Sequence, residues 1–207
     1  MKIAIIPSIK EPYKNQFEYS IDVKLFKLIN ICFSKCEIIS LTKSDKLNKK
    51  CKLLIISGGN TILTFSKSKK NKIRALIDER FYKQALKNKI PILGICHGAQ
   101  FLAKKFGCKF NKSKHHVQNH YIEIIDNKSE KRKQLVNSYH NIIIIKKSKK
   151  VDIFAIATDN SIEAFCHKKL KIGGVIWHPE RFKKFRNTDI KIIKKFYATG
   201  NFGFRKR

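Results

Sequence analysis

The stretch PILGICHGAQ, residues 91–100, sets an apolar run directly against a cysteine and a glycine. Residues 91–95 read as a short buried strand opened by a proline, and residues 98–103 as the start of a helix. A strand that turns at once into a helix leaves the turn residue, Cys96, at the carboxyl edge of a sheet. There the positive end of the helix dipole favours an anion. Gly94 and Gly98 on either side permit the tight turn. Two readings of the cysteine stay open on these ten residues: a nucleophile, or a buried structural thiol.

Outward from this elbow, strand-like runs alternate with helical spacing, the signature of an α/β sheet. The spacing predicts strands over 2–6, 37–41 and 52–56, the last ending in Ser57-Gly58-Gly59-Asn60. Helices are predicted over 17–33 and over 71–89, where Ile73, Leu76, Ile77, Phe81 and Ala85 fall on one face. After about residue 110 the pattern becomes β-rich, with strands at 121–125, 142–145, 153–158, 162–166 and 172–177 and a hairpin turn at Asp159-Asn160. A last amphipathic helix covers 188–198, with Gly200 as its stop. The expected fold is therefore a doubly wound, mostly parallel sheet flanked by helices, with a small β-rich C-terminal part. One domain is expected over 1–198, followed by a frayed basic tail over 199–207.

The 207 residues carry 46 Lys and Arg against 15 Asp and Glu, a formal charge of +31. Arginine, the residue of bidentate base and phosphate contacts, occurs only at 74, 80, 132, 181, 186, 205 and 207. The lysines are scattered in short runs. Abundant Lys, Asn and Ile together fit an AT-rich coding sequence with the excess on solvated faces. No specific nucleic-acid partner is expected, although the charge can help gather an anionic substrate. No run of about twenty apolar residues marks a membrane span, and the start breaks at Pro7, too soon for a signal peptide. Six cysteines without a CxxC pair fit a reduced, cytoplasmic compartment.

A nucleophilic cysteine needs a base and a group that orients it. Gly173-Gly174-Val175-Ile176-Trp177-His178-Pro179-Glu180 supplies both. His178 ends a buried strand as Cys96 does, Pro179 favours an extended conformation before it, and Glu180 falls on the same side two residues on. Gly58-Gly59, after another buried strand, can point backbone N–H groups at an oxyanion.

Together, Gly58-Gly59, Gly94-Ile95-Cys96-His97-Gly98-Ala99-Gln100 and His178-Pro179-Glu180 resemble the class I glutamine amidotransferases, in that family's order. The resemblance covers nearly the whole chain. It implies a Cys96-His178-Glu180 triad that attacks the γ-carboxamide of a glutamyl group, with a glutamyl thioester released by water. It further implies an oxyanion hole from the backbone of Gly59 and His97, and Gln100 on the glutamyl moiety. Leu54 to Asn60, Asn137-Ser138-Tyr139-His140-Asn141 and Asp159 to Phe165 are most similar to the γ-glutamyl hydrolase branch. That branch takes in γ-glutamyl-GABA hydrolases and, more closely, the γ-glutamyl-CDP-amidate hydrolases of capsule phosphoramidate biosynthesis. Two departures bear on substrate identity: His97 stands where the branch usually has arginine, and its R-D-x-x-E helix motif is reduced to Arg74 and Asp78.

Substrate contacts are expected from Gly58, Asn60, Gln100, His120, Ser138, Tyr139 and His140. The basic loop 112–120 and His97 are expected to grip a leaving group such as a diphosphate. His116 and His120, four apart, invite a zinc reading. Against it stand the strand-like Tyr121-Ile122-Glu123-Ile124, the lack of a paired acidic residue nearby, and a family that works without metal. No metal and no cofactor are therefore expected. The expected partner is a small γ-glutamyl substrate, nucleotide-linked in the favoured reading. The alternatives are a glutaminase subunit that feeds ammonia to a partner synthase, a γ-glutamyl-GABA hydrolase, and a non-catalytic binding module.

Overall fold

In chain order the elements are β1 (Lys2–Ile6), β2 (Ser8–Lys10), β3 (Glu18–Ser20), α1 (Val23–Cys32), β4 (Glu37–Ser40), β5 (Cys51–Ile56), α2 (Lys69–Lys87), β6 (Ile92–Ile95) and α3 (His97–Phe106). There follow β7 (Lys109–Lys112), β8 (His120–Ile124), β9 (Arg132–Val136), β10 (Ile142–Lys146), β11 (Val151–Ala157), β12 (Ile162–His167), β13 (Ile172–Val175), a 3₁₀ turn at Pro179–Arg181, and α4 (Asn187–Thr199). The computed structural model describes residues 1–125 and 132–203.

β1, β5, β6 and β13 are apolar without alternation because helices and loops cover both faces of the sheet. They run in the order β4-β1-β5-β6-β13, every neighbour parallel. Beyond β13 the sheet turns antiparallel through β12, β11, β8 and β9, with β10 and β7 branching from β12. The α/β architecture is as expected, and the β-rich part extends the same sheet. One core lies on the α2 and α3 face, around Phe81, Leu102 and Phe106; the other lies under α1 and α4, around Leu28, Trp177 and Phe196.

Several expectations need correction. Helix α1 starts only at Val23, where Asp22 caps it by accepting from Lys24 N–H; residues 18–20 pair with β2 as a hairpin instead. On α2 the buried face holds Arg74, Ile77, Asp78 and Phe81, while Leu76 is 66 % exposed. A buried ion pair, Arg74 Nε to Asp78 Oδ1 at 2.7 Å, takes the place expected of an apolar residue. β7 and β9 were not anticipated. The chain past Thr199 does not fray at once: Gly200 ends α4 in the left-handed region, and Phe202 packs on Phe196 and Phe154 with ring centroids 5.1 and 5.5 Å away. Residues 204–207 of the expected tail lie outside the described residues.

Candidate active site

The carboxyl ends of three adjacent parallel strands converge at one edge. β5 runs into Ser57 and Gly58, β6 into Cys96, and β13 through Ile176 and Trp177 into His178. Cys96 N–H donates to Val175 O at 2.8 Å, which ties the elbow to the strand that carries the histidine. Cys96 itself has φ +50° and ψ −104°, a strained conformation for a non-glycine residue that costs on the order of 1–3 kcal/mol. The strain follows from the elbow, since α3 begins at the next residue. A Cβ on Gly98 would collide with the backbone carbonyl of Ile56, and one on Gly94 with the backbone of Gly98 and Ala99. Helix α3 therefore lies against β5 and β6 at a distance only glycine permits. Gly98→Ala is expected to destabilise the chain by about 1–3 kcal/mol, measured by urea unfolding; unchanged stability would contradict this packing.

Gly58 lies against both side chains, so that a Cβ there would meet both the His178 ring and Cys96 Cβ. His178 Nδ1 lies 2.6 Å from Glu180 Oε1, and both side chains are buried. Burial pushes the imidazole pKa down, but the charge and hydrogen bond of Cys96, together with Glu180, outweigh it and raise it to about 9. An imidazolium at neutral pH is the result. Asn137, absent from the expected site, fixes the histidine backbone from both sides. It donates to His178 O at 2.8 Å and accepts from His178 N–H at 2.9 Å.

Two cavities meet at this edge. One, of about 180 Å³, is lined by Cys96, Gln100, Tyr139, Asn141, His178 and Arg181. The other, of about 480 Å³ and mostly polar, is bounded by Lys10, Ser20, Asp22, Gly58, His178 and Arg181. Gly59, His178 and Arg181 line both. Arg181, which the sequence reading missed although it follows His178-Pro179-Glu180 directly, lies over the Tyr139 ring at 4.9 Å and within 3.4 Å of Asp22. Gly59, at φ +103°, lines the smaller cavity together with Cys96, and His97 is the first residue of α3.

The family description "Glutamine amidotransferase class-I" matches residues 13–199. The chain belongs to the class-I glutamine amidotransferase family. It is 35% identical over 147 residues to the γ-glutamyl-CDP-amidate hydrolase of Campylobacter jejuni, spanning 71% of this chain and 70% of that one. It is 34% identical over 120 residues to anthranilate synthase component 2 of Methanocaldococcus jannaschii, spanning 52% of this chain and 60% of that one. Among solved structures, a glutamine amidotransferase of Thermotoga maritima superposes with a TM-score of 0.64 at 16% identity, covering 95% of this chain and 81% of that one.

Other expected substrate residues make hydrogen bonds within the protein, although Asn60, Gln100 and His140 line the smaller cavity. The Asn60 side chain accepts from Ile9 N–H at 2.9 Å and donates to Ile9 O and Asn71 Oδ1. The His97 ring turns away from the nucleophile, with Nε2 2.8 Å from Asp78 Oδ2 and Nδ1 3.0 Å from Asn60 O. Burial and the Arg74 charge hold His97 below its ordinary pKa, against the pull of Asp78. Arg74 also donates to Pro7 O and Ser57 O, so this buried group braces the ends of β1 and β5 and contacts no substrate. Gln100 lines the smaller cavity but donates its amide to Ile142 O at 2.9 Å. The Ser138 hydroxyl donates to His116 O. The His120 and His140 rings both approach Glu163, and His140 also lines the smaller cavity.

Proposed function

We propose that this chain hydrolyses a γ-glutamyl amide with Cys96 as nucleophile, His178 as acid and base, and Glu180 as the group that orients and charges the imidazole. The observation that carries the reading is a strained elbow cysteine beside a histidine whose pKa is raised to about 9, with Glu180 2.6 Å from its Nδ1. In acylation the Cys96 sulfur bonds the γ-carbonyl carbon, and the N–H groups of Gly59 and His97 take the charge that develops on the oxygen. The C–N bond then breaks as His178 delivers its proton to the departing nitrogen, leaving a glutamyl thioester. The neutral imidazole next removes a proton from water, the hydroxide attacks the thioester carbon, and glutamate leaves as the sulfur recovers its electron pair. Likeness to the Campylobacter hydrolase, together with the large polar cavity beside His178, favours a nucleotide-linked γ-glutamyl amidate as substrate and surface polysaccharide assembly as the setting. Incubation with a glutamine-mimicking electrophile tests the nucleophile: one adduct at Cys96, found by peptide mass spectrometry, is expected. Labelling spread over Cys32, Cys36, Cys51, Cys108 and Cys166 would overturn the assignment.

The same pair sets a pH dependence. The protonated imidazole is the acid for the leaving nitrogen, so activity is lost as pH rises through the raised value of about 9. Glu180→Gln removes one cause of that rise, so the alkaline limb of kcat/KM is expected to move to lower pH and the plateau to fall. A pH profile of both proteins checks this; a limb that stays in place would separate Glu180 from the imidazole's charge.

A further inference from the structure

Beside the smaller cavity, whose lining includes His140, three imidazoles and a carboxylate converge in the interior. His116 Nδ1, His120 Nε2 and His140 Nε2 lie 3.4, 3.5 and 3.6 Å from one atom, Glu163 Oε1. His116, His140 and Glu163 are 3, 5 and 1 % exposed. None of the three nitrogens, nor either carboxylate oxygen, has a hydrogen-bond partner. Unsatisfied buried groups cost stability, and four in contact call for a common partner.

The outward ring atoms say what that partner is. His116 Nε2 lies 2.9 Å from Asp159 Oδ2, His140 Nδ1 3.0 Å from Ile142 O, and His120 Nδ1 3.4 Å from Gln118 O. Each outward nitrogen faces an oxygen acceptor, and with the proton placed there each inward nitrogen offers a lone pair. Three lone pairs then point at a carboxylate, and only a cation satisfies them all. An imidazolium–carboxylate hydrogen bond would bring nitrogen and oxygen to about 2.7–2.9 Å, closer than any of the three. Ligand atoms about 2.1 Å from a tetrahedral zinc ion lie about 3.4 Å from one another, close to the spacings found.

We propose that His116, His120 and Glu163, with His140 as fourth donor, bind one divalent transition-metal ion of the zinc class. The ligand atoms of the first three already lie within 4.8 Å of one another. An imidazole and carboxylate set of this kind suits zinc over magnesium or calcium. The Asp159 contact to His116 is the outer carboxylate that orients metal-bound histidines.

Four protein donors leave no open position, which assigns the ion a structural role. It joins the loop before β8, the first residue of β8, the segment after β9 and strand β12. The segment after β9 matters most for function. His140 is flanked by Tyr139 and Asn141 on the cavity wall, and Asn137 holds the His178 backbone. The ion thereby fixes one wall of the site without touching substrate.

The test uses the full chain purified without a polyhistidine tag. Elemental analysis is expected to find about one zinc per chain after dialysis, and chelation is expected to lower Tm, with recovery when zinc is restored. Cobalt loaded into the chelated protein should give tetrahedral d–d bands without thiolate charge-transfer absorption. Glu163→Gln and His120→Ala should each weaken zinc binding at least 10–100-fold and make Tm insensitive to chelator. The proposal is overturned if the wild-type chain neither retains nor rebinds zinc, if chelation leaves its Tm unchanged, or if cobalt shows thiolate bands. Full metal content in both variants would overturn it equally. A cluster that holds only a proton, on His116, would give the first of these results.

Discussion

Cys96→Ala should lower kcat/KM for a γ-glutamyl amide by about 10⁴-fold or more, the loss typical of removing a covalent nucleophile, while the fold survives. Alanine suits this test because a methyl group meets the same backbone strain at φ +50° as the cysteine does and fills part of the same buried space. Cys96→Ser should be nearly as inactive. A serine hydroxyl is far less acidic than a thiol and must give up its proton to the imidazole as it attacks. Initial rates and thermal melts on the three proteins decide the matter. Activity within tenfold of wild type in either variant would remove Cys96 from the chemistry, and a collapsed melt would show that the thiol was structural after all.

What could be read from the sequence was local. The elbow announced itself because strand, cysteine, glycine and helix are contiguous, and His178 with Glu180 because two residues of extended chain face one way. The parallel half of the sheet was equally legible, since β1, β5 and β6 are unbroken apolar runs. Contacts made by distant residues were not. Arg74 and Asp78 were legible only as the remnant of a helix motif, and the carbonyls of Pro7 and Ser57 together with the His97 ring explain their burial. The histidine loop was read for an acidic neighbour in sequence; its carboxylate comes instead from Glu163 on β12, which the antiparallel extension brings alongside. Asn60 followed a glycine pair and so suggested a ligand contact, but its amide closes a pair of hydrogen bonds with the backbone of Ile9. A side chain's type tells which bonds it can make; the fold decides which partner arrives first.

The leaving group is where the two cavities make a quantitative difference. Glutamine releases only ammonia and would leave the larger, polar cavity of about 480 Å³ without a use. A nucleotide-linked amidate would place its glutamyl part in the space of about 180 Å³ beside Cys96 and Gln100, and its diphosphate across the junction that Arg181 and Gly59 share. Lys10 stands further along the same cavity and adds a second cation. Contacts made only by the conjugate lower its barrier without helping glutamine. The purified chain is therefore expected to show a kcat/KM for a γ-glutamyl nucleotide amidate about 100-fold or more above that for glutamine, since two charge-assisted contacts at about 1.5–3 kcal/mol each suffice. Arg181→Ala should cost the conjugate about 10–100-fold for one such contact and cost glutamine much less. Equal losses on both substrates would place Arg181 on the glutamyl carboxylate that they share. Equal or faster turnover of glutamine by the wild-type chain would end the conjugate reading and leave an ammonia-supplying subunit, whose synthase partner would then be sought by the rise in glutaminase rate on mixing.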